Sequence, residues 1–386
     1  MKNRWTWSLT LIVVVLLSSL SLPTPTRAAG DKLELLSEVD GTLSDQASEQ
    51  SYSVNFLAGQ VFSVQVWPKS GDLQLEMEVV DAAGVALAQS VPVDVVPGAA
   101  LLEAVEAPED GSYSITVRRV GATAGDFGLM VVPGFGNVST VDYFDGTGYN
   151  PLTWCECKTS DFTATLADGE YMMELTDVDR HYSMRPEEVI IRDEVYVEAT
   201  FRLEENRPRY YGFGFNMVDK ADGSFNLYVV SITRDGLLDI YALTDNGIVE
   251  LLPWQANPLI DNTDSTVQLA VLFQDYTFTV YFNGQVIGQV EDPDHVLAPG
   301  ELAISMETVN NPDHVPARIY VDNLIITEPL GNVAAAESTD APVDADTIGS
   351  ILDQSRSGAE GIGLNPKLDY PVSEAESRAL PINAIR

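Results

Sequence analysis

Thr277-Phe278-Thr279-Val280-Tyr281-Phe282-Asn283-Gly284-Gln285-Val286 is the stretch that decides the fold class. Its first six residues are β-branched or aromatic. Asn-Gly then supplies two residues that accept positive φ, as the two-residue turn between right-twisted strands requires. The stretch predicts a β-hairpin. Working outward, period-2 alternation recurs. Val267, Leu269 and Val271 share a face before the hairpin, and Leu302, Ile304 and Met306 share one after it. Val195, Val197, Ala199, Phe201 and Leu203 alternate over nine residues, and Tyr211, Phe213 and Phe215 follow. Phe225–Ile232 and Leu237–Leu243 flank a turn at Thr233-Arg234-Asp235-Gly236. The same rhythm fills the first part of the chain, in Tyr52/Val54/Phe56, Phe62/Val64/Val66, Tyr113/Ile115/Val117 and Phe127/Leu129/Val131. The expectation is an all-β protein: two consecutive antiparallel β-sandwich (jelly-roll) domains, residues 31–133 and 140–328, and a mostly disordered tail over 329–386.

Composition narrows the function. The 386 residues carry 58 Asp+Glu against 21 Lys+Arg, a formal charge of -37. Such a polyanion repels phosphate backbones, which excludes nucleic acid as a partner. It disfavours anionic membrane surfaces for the same reason. At 45% hydrophobic residues the chain is rich enough to build cores. The acids are spread out: residues 31–133 hold 4 bases and 16 acids, residues 134–328 hold 10 and 33, and residues 329–386 hold 4 and 9. That distribution reads as solvated surface rather than as one acidic interaction tail.

Residues 1–28 read as a secretory signal. Lys2 and Arg4 precede the apolar run Ser8–Leu22, Pro23 and Pro25 end it, and Thr26-Arg27-Ala28 offers a small-x-small cleavage site. The run is shorter than a spanning helix needs. The expectation is a secreted, extracellular or periplasmic protein with no stable membrane insertion after cleavage. Cys155 and Cys157 are the two cysteines. In an oxidising compartment they either pair with each other or remain thiols.

Two resemblances emerge from ordered motifs. Leu57-Ala58-Gly59-Gln60-Val61-Phe62, then Gly71-Asp72-Leu73 with Asp81-Ala82-Ala83-Gly84, then Pro108-Glu109-Asp110-Gly111-Ser112-Tyr113-Ser114-Ile115 resemble the bacterial pre-peptidase C-terminal domain over about residues 33–132. That resemblance implies a small jelly-roll accessory module without catalysis. Tyr211-Gly212-Phe213-Gly214-Phe215, Val280-Tyr281-Phe282-Asn283-Gly284-Gln285-Val286 and Ile319-Tyr320-Val321-Asp322-Asn323-Leu324 resemble the concanavalin A-like lectin/glucanase superfamily, in its 3-keto-disaccharide hydrolase-like or laminin-G-like branch, over about residues 140–328. That superfamily contains both enzymes and binders, so the resemblance implies a fold and leaves the activity open.

Motifs for catalysis are missing. The glucanase pattern Glu-x-Asp-x-x-Glu does not occur, nor does a Gly-x-Ser-x-Gly elbow. His181, His295 and His314 have no metal-ligand spacing, and His181 and His295 read as surface-loop residues. Sugar recognition wants aromatic faces beside hydrogen-bonding groups. Tyr210, Tyr228, Trp154, Trp254 and Arg209 are the candidates. Tyr210 alternates against the Tyr211/Phe213/Phe215 stripe and so faces the other side of its strand. Trp254, after Leu251-Leu252-Pro253, is expected in a loop. Calcium is the cofactor that oxygen-rich turns would suit, with Asp177, Asp179, Asp322 and Asn323 as candidate ligands. The reading is a secreted non-catalytic binding protein that recognises carbohydrate or cell-surface glycan through its second sandwich. The alternatives are a glycoside-active hydrolase and a structural extracellular assembly protein.

Overall fold

The computed structural model describes residues 31–330 except 71–72, 94–95, 188–190, 193, 205–209, 221–224, 234–235, 261–265 and 309. The expected signal segment and almost all of the expected tail lie outside these residues, as does Arg209. Among the described residues the only helical element is the 3-10 turn Pro312–His314.

The first sandwich packs two five-stranded sheets face to face. One runs Asp31–Lys32, Glu49–Phe56, Gly111–Arg119, Leu75–Val80, Ala86–Gln89. The other runs Val39–Leu43, Gly125–Pro133, Val61–Pro68, Ala100–Glu106, Val91–Pro92. All pairings are antiparallel except that of Asp31–Lys32 with Glu49–Phe56. The alternating apolar residues meet between the sheets, where Tyr52, Val64, Ile115, Phe127 and Leu129 are buried.

The second sandwich is larger. Its ten-stranded sheet is organised around the long strand Ala317–Glu328, which pairs with Glu170–Leu175, Val195–Leu203 and Asn137–Asp142. Facing it is a seven-stranded sheet, whose main path runs His181–Met184, Gly300–Glu307, Tyr210–Asp219, Phe225–Thr233, Leu237–Thr244, Gly247–Ala256. Its core is rich in aromatics: Phe201, Phe213, Phe215, Phe273 and Phe278 touch ring to ring. The opening hairpin forms as expected, with Asn283 at φ 49° and Gly284 at φ 79°.

The two sandwiches are joined through one outer face of the second. Val61 and Phe135 pack on Tyr196, Ala270, Leu272 and Tyr281, which project outward from the ten-stranded sheet. A polar latch sits beside this contact. Thr327 Oγ1 donates to the Pro133 carbonyl at 3.0 Å and accepts from the Phe135 N–H at 3.0 Å. Gly134 has φ 68°, and a Cβ there would lie 2.3 Å from the Tyr196 side chain, so the linker needs glycine on both counts. The contact of the first sandwich thus lies on the ten-stranded sheet's outer face and not on that of the seven-stranded sheet.

Candidate functional site

The outer face of the seven-stranded sheet is built by alternation and register, and much of it is buried, Leu227, Val229, Ser231 and Ser305 among it. In Tyr210–Asp219 the core takes Tyr211, Phe213 and Phe215, so Tyr210 and Gly212 face outward. Gly212 pairs with Ser305 on one side and Ser231 on the other. Ser305 pairs with Ser183, and Ser231 with Asp239. A row of small and polar residues, Ser183-Ser305-Gly212-Ser231-Asp239, thus crosses five strands. One register step along the strands, His181, Glu307 and Tyr210 form a second outward row.

An aromatic platform caps this face. Tyr210 and Trp254 stack with ring centroids 4.8 Å apart and planes 27° apart, and both are half-buried. Trp254 lies in the strand Gly247–Ala256 rather than in a loop. Pro253 is accommodated because this is the edge strand of the sheet, where a missing N–H costs no ladder bond. The same edge strand exposes Ile248 and Val249.

Beneath and beside the platform lie polar groups. His181 Nε2 is 2.9 Å from Ser183 Oγ, which is 2.7 Å from Ser305 Oγ, and His181 Nδ1 is 3.7 Å from Glu307. His181 is therefore a strand residue of the site and not a surface-loop histidine. Asp239 is 3% exposed. Burial pushes its carboxyl up from an ordinary 3.8 to about 7, the negative charges of Glu250 and Glu307 push the same way, and the Ile240 N–H opposes them. The notch bounded by His181, Tyr210, Ser231, Tyr241, Ser305 and Glu307 measures only about 10 Å³. That is room for roughly one water, not for a sugar ring.

Two candidate aromatics belong to the core instead. Tyr228 is fully buried, donates to Asp292 Oδ2 at 2.5 Å and accepts from the Leu297 N–H at 3.0 Å. It fastens the loop after Glu291. Trp154 is 5% exposed and donates from Nε1 to Asp142 Oδ2, 3.1 Å away. Asp142 also accepts from the N–H groups of Phe144 and Leu152. Both aromatics are anchors with satisfied polar ends, unavailable for stacking on a ligand.

Of the calcium candidates, Asp322, Asn323 and Asp177 have partners within the chain. Asp322-Asn323 forms a β-bulge in Ala317–Glu328, with Asn323 at φ 51° and its N–H bonded to Asp322 Oδ1 at 2.7 Å. Asp177 pairs with Arg180 at 3.0 Å, and Asp179 takes a turn conformation at φ 53°. Among the described residues, no group of three His, Cys, Asp or Glu is placed to hold a metal ion. Cys155 and Cys157 form a disulfide, with Cα atoms 5.3 Å apart, beside the core of the second sandwich.

No known family description matches this chain, and no curated protein matches it. Solved structures do resemble parts of it. One is the pre-peptidase C-terminal domain of a collagenase from Bacillus anthracis, at 14% identity over 26% of this chain and 93% of that one, with a TM-score of 0.24. Another is a carbohydrate binding module from Bacillus subtilis, at 13% identity over 46% and 97%, with a TM-score of 0.36. A third is β-agarase B from Zobellia galactanivorans, at 11% identity over 50% and 94%, with a TM-score of 0.33. Likenesses this distant do not say what this chain binds.

Proposed function

We propose that this is an exported binding protein that recognises a neutral glycan on the outer face of its seven-stranded sheet. The observation that carries this reading is the Tyr210–Trp254 stack, which stands half-exposed on the outer side of the seven-stranded sheet, away from the first sandwich. An aromatic pair of this kind offers an apolar plane to the C–H face of a pyranose. Glu307, Glu250 and His181 lie nearby to accept or donate hydrogen bonds to sugar hydroxyls. The carboxylates disfavour sulfated or sialylated chains by like-charge repulsion.

Hydrolysis is the weaker reading. Glu250 and Glu307 do lie near Asp239, but the notch beside Glu307 does not seat a scissile bond. A glycan array followed by isothermal titration calorimetry tests the binding reading. Trp254→Ala should weaken binding of the best neutral polysaccharide at least about tenfold, in line with a lost stacking contact, while the melting temperature changes little. Equal binding by wild type and Trp254→Ala, or no polysaccharide bound at all, would overturn it.

A further inference from the structure

A second recess lies on the opposite side of the second sandwich, where the first sandwich docks. It has a volume of about 380 Å³. Val61 and Glu106 of the first sandwich form one wall, and Leu272, Thr279, Tyr281 and Gln289 of the second form the other. The recess continues outward from the apolar contact of Phe135 with Tyr196 and Ala270, so the docking itself creates it. Its size falls within the range of small-ligand pockets.

The chemistry of the lining is specific. Aliphatic side chains line part of it, and two carboxylates (Glu106, Asp275), two threonines (Thr277, Thr279) and two glutamines (Gln274, Gln289) line the rest. No Lys, Arg or His lines it. Gln289 Nε2 donates to Thr279 Oγ1 at 3.0 Å, which orients that pair. Tyr281 is 2% exposed, and its Oη is a buried hydroxyl with no hydrogen-bond partner among the described residues. Burial, with the charge of Glu106, pushes the Tyr281 phenol up, so it remains a neutral donor. A buried hydroxyl left unsatisfied is costly in a folded protein and asks for an explanation.

We infer that the inter-sandwich cleft is a second binding site, for a small neutral polyhydroxylated molecule of about disaccharide size, in which a ligand hydroxyl partners Tyr281 Oη. The lining excludes an anionic ligand, because it offers no cation and carries two carboxylates. The aliphatic wall suits the C–H surface of a sugar. The cleft belongs to the ten-stranded sheet and the platform to the seven-stranded one, so the two sites are separable by mutation.

The test uses the full chain carrying Trp254→Ala, which silences the platform, titrated with cellobiose, maltose and lactose by calorimetry. At least one disaccharide is expected to bind. Adding Tyr281→Phe should weaken it about fivefold, the loss of one hydrogen bond, while the free protein melts no lower than its parent because an unsatisfied hydroxyl has gone. Adding Thr279→Trp, which fills the cleft, should abolish binding with the fold intact by circular dichroism. The inference is overturned if none of the three sugars binds the Trp254→Ala chain. It is equally overturned if binding survives both cleft substitutions unchanged, or if spermidine binds and the sugars do not. Binding confined to the chain with Trp254 intact would sink the cleft site and leave the platform standing.

Discussion

Replacing Asp239 by Asn should make the protein more stable at neutral and alkaline pH, and not at acid pH. Asp239 is buried in the strand Leu237–Thr244 beneath the aromatic platform, and its carboxyl is pushed up from 3.8 to about 7. Because the folded-state value lies above the unfolded one, the folded protein holds this proton more tightly. Folding therefore takes up a proton between about pH 4 and pH 7, and stability falls as pH rises through that window. A rise from 3.8 to about 7, at about 1.4 kcal/mol per pH unit, amounts to about 4 kcal/mol of destabilisation above pH 7. Asparagine has nearly the same shape and no charge to bury. Urea unfolding of both proteins at pH 4, 6 and 8 should give similar stabilities at pH 4 and an advantage for Asp239→Asn that grows to at most about 4 kcal/mol at pH 8. Glu198 and Asp322 are also pushed up, chiefly by burial, and tilt both proteins equally. They cancel in the difference. A difference that stays flat with pH, or that shrinks as pH rises, would refute the assignment of Asp239 as a buried carboxyl lacking a compensating cation.

Two further substitutions address the scaffold. Thr327→Val keeps the side-chain volume but leaves the Phe135 N–H and the Pro133 carbonyl unpaired at the junction of the sandwiches. It should cost about 2 kcal/mol in chemical denaturation, and limited proteolysis should then cut between the sandwiches. Tyr228→Phe orphans the Leu297 N–H and removes a donor to Asp292. It should lower stability by about 1–3 kcal/mol and leave glycan binding unchanged, since the side chain is fully buried.

The fold was legible in the sequence wherever one strand face was apolar and the other was not. Val195–Leu203 shows that pattern, and its alternation matches the observed burial from Val197 onward, Tyr196 being buried on the other face by the first sandwich. Tyr210 was placed outward by the same logic. Tyr228 escapes that pattern because Phe225–Thr233 is buried on both faces: Leu227 and Val229 are as covered as Val230 and Ile232. Alternation carries no information there, so residue type was the only guide, and an aromatic looks the same in a core as on a platform. Asp239 was missed for a related reason. An acid is ordinarily read as exposed, and its neighbours Leu238 and Ile240 marked only the opposite face as core. The meeting of Tyr210 with Trp254 depends on strand order and on the register shifts between Leu237–Thr244 and Gly247–Ala256, neither of which local pattern reveals. Asp322-Asn323 shows that an Asp-Asn pair in a strand can serve a bulge, a use that the residue types alone do not distinguish from a cation site.

The charge of the molecule links the two proposed sites. Among the described residues the bases are largely spent on neighbouring acids: Lys69, Arg118, Arg119, Arg180, Arg185, Arg202, Lys220 and Arg318 all form ion pairs. The carboxylates facing the platform and the cleft show no such pairing with Lys or Arg among the ion pairs of the described residues. A ligand that carried phosphate, sulfate or sialic acid would meet repulsion at both places and find no cation to offset it. A neutral sugar meets acceptors that its hydroxyls can satisfy and apolar surfaces that its C–H face can cover. Binding at either site should therefore respond weakly to added salt, since screening has little charge–charge attraction to remove. A steep loss of affinity with ionic strength would mean that the ligand is a cation drawn in by the acidic surface, and that the platform and the cleft have been assigned the wrong chemistry.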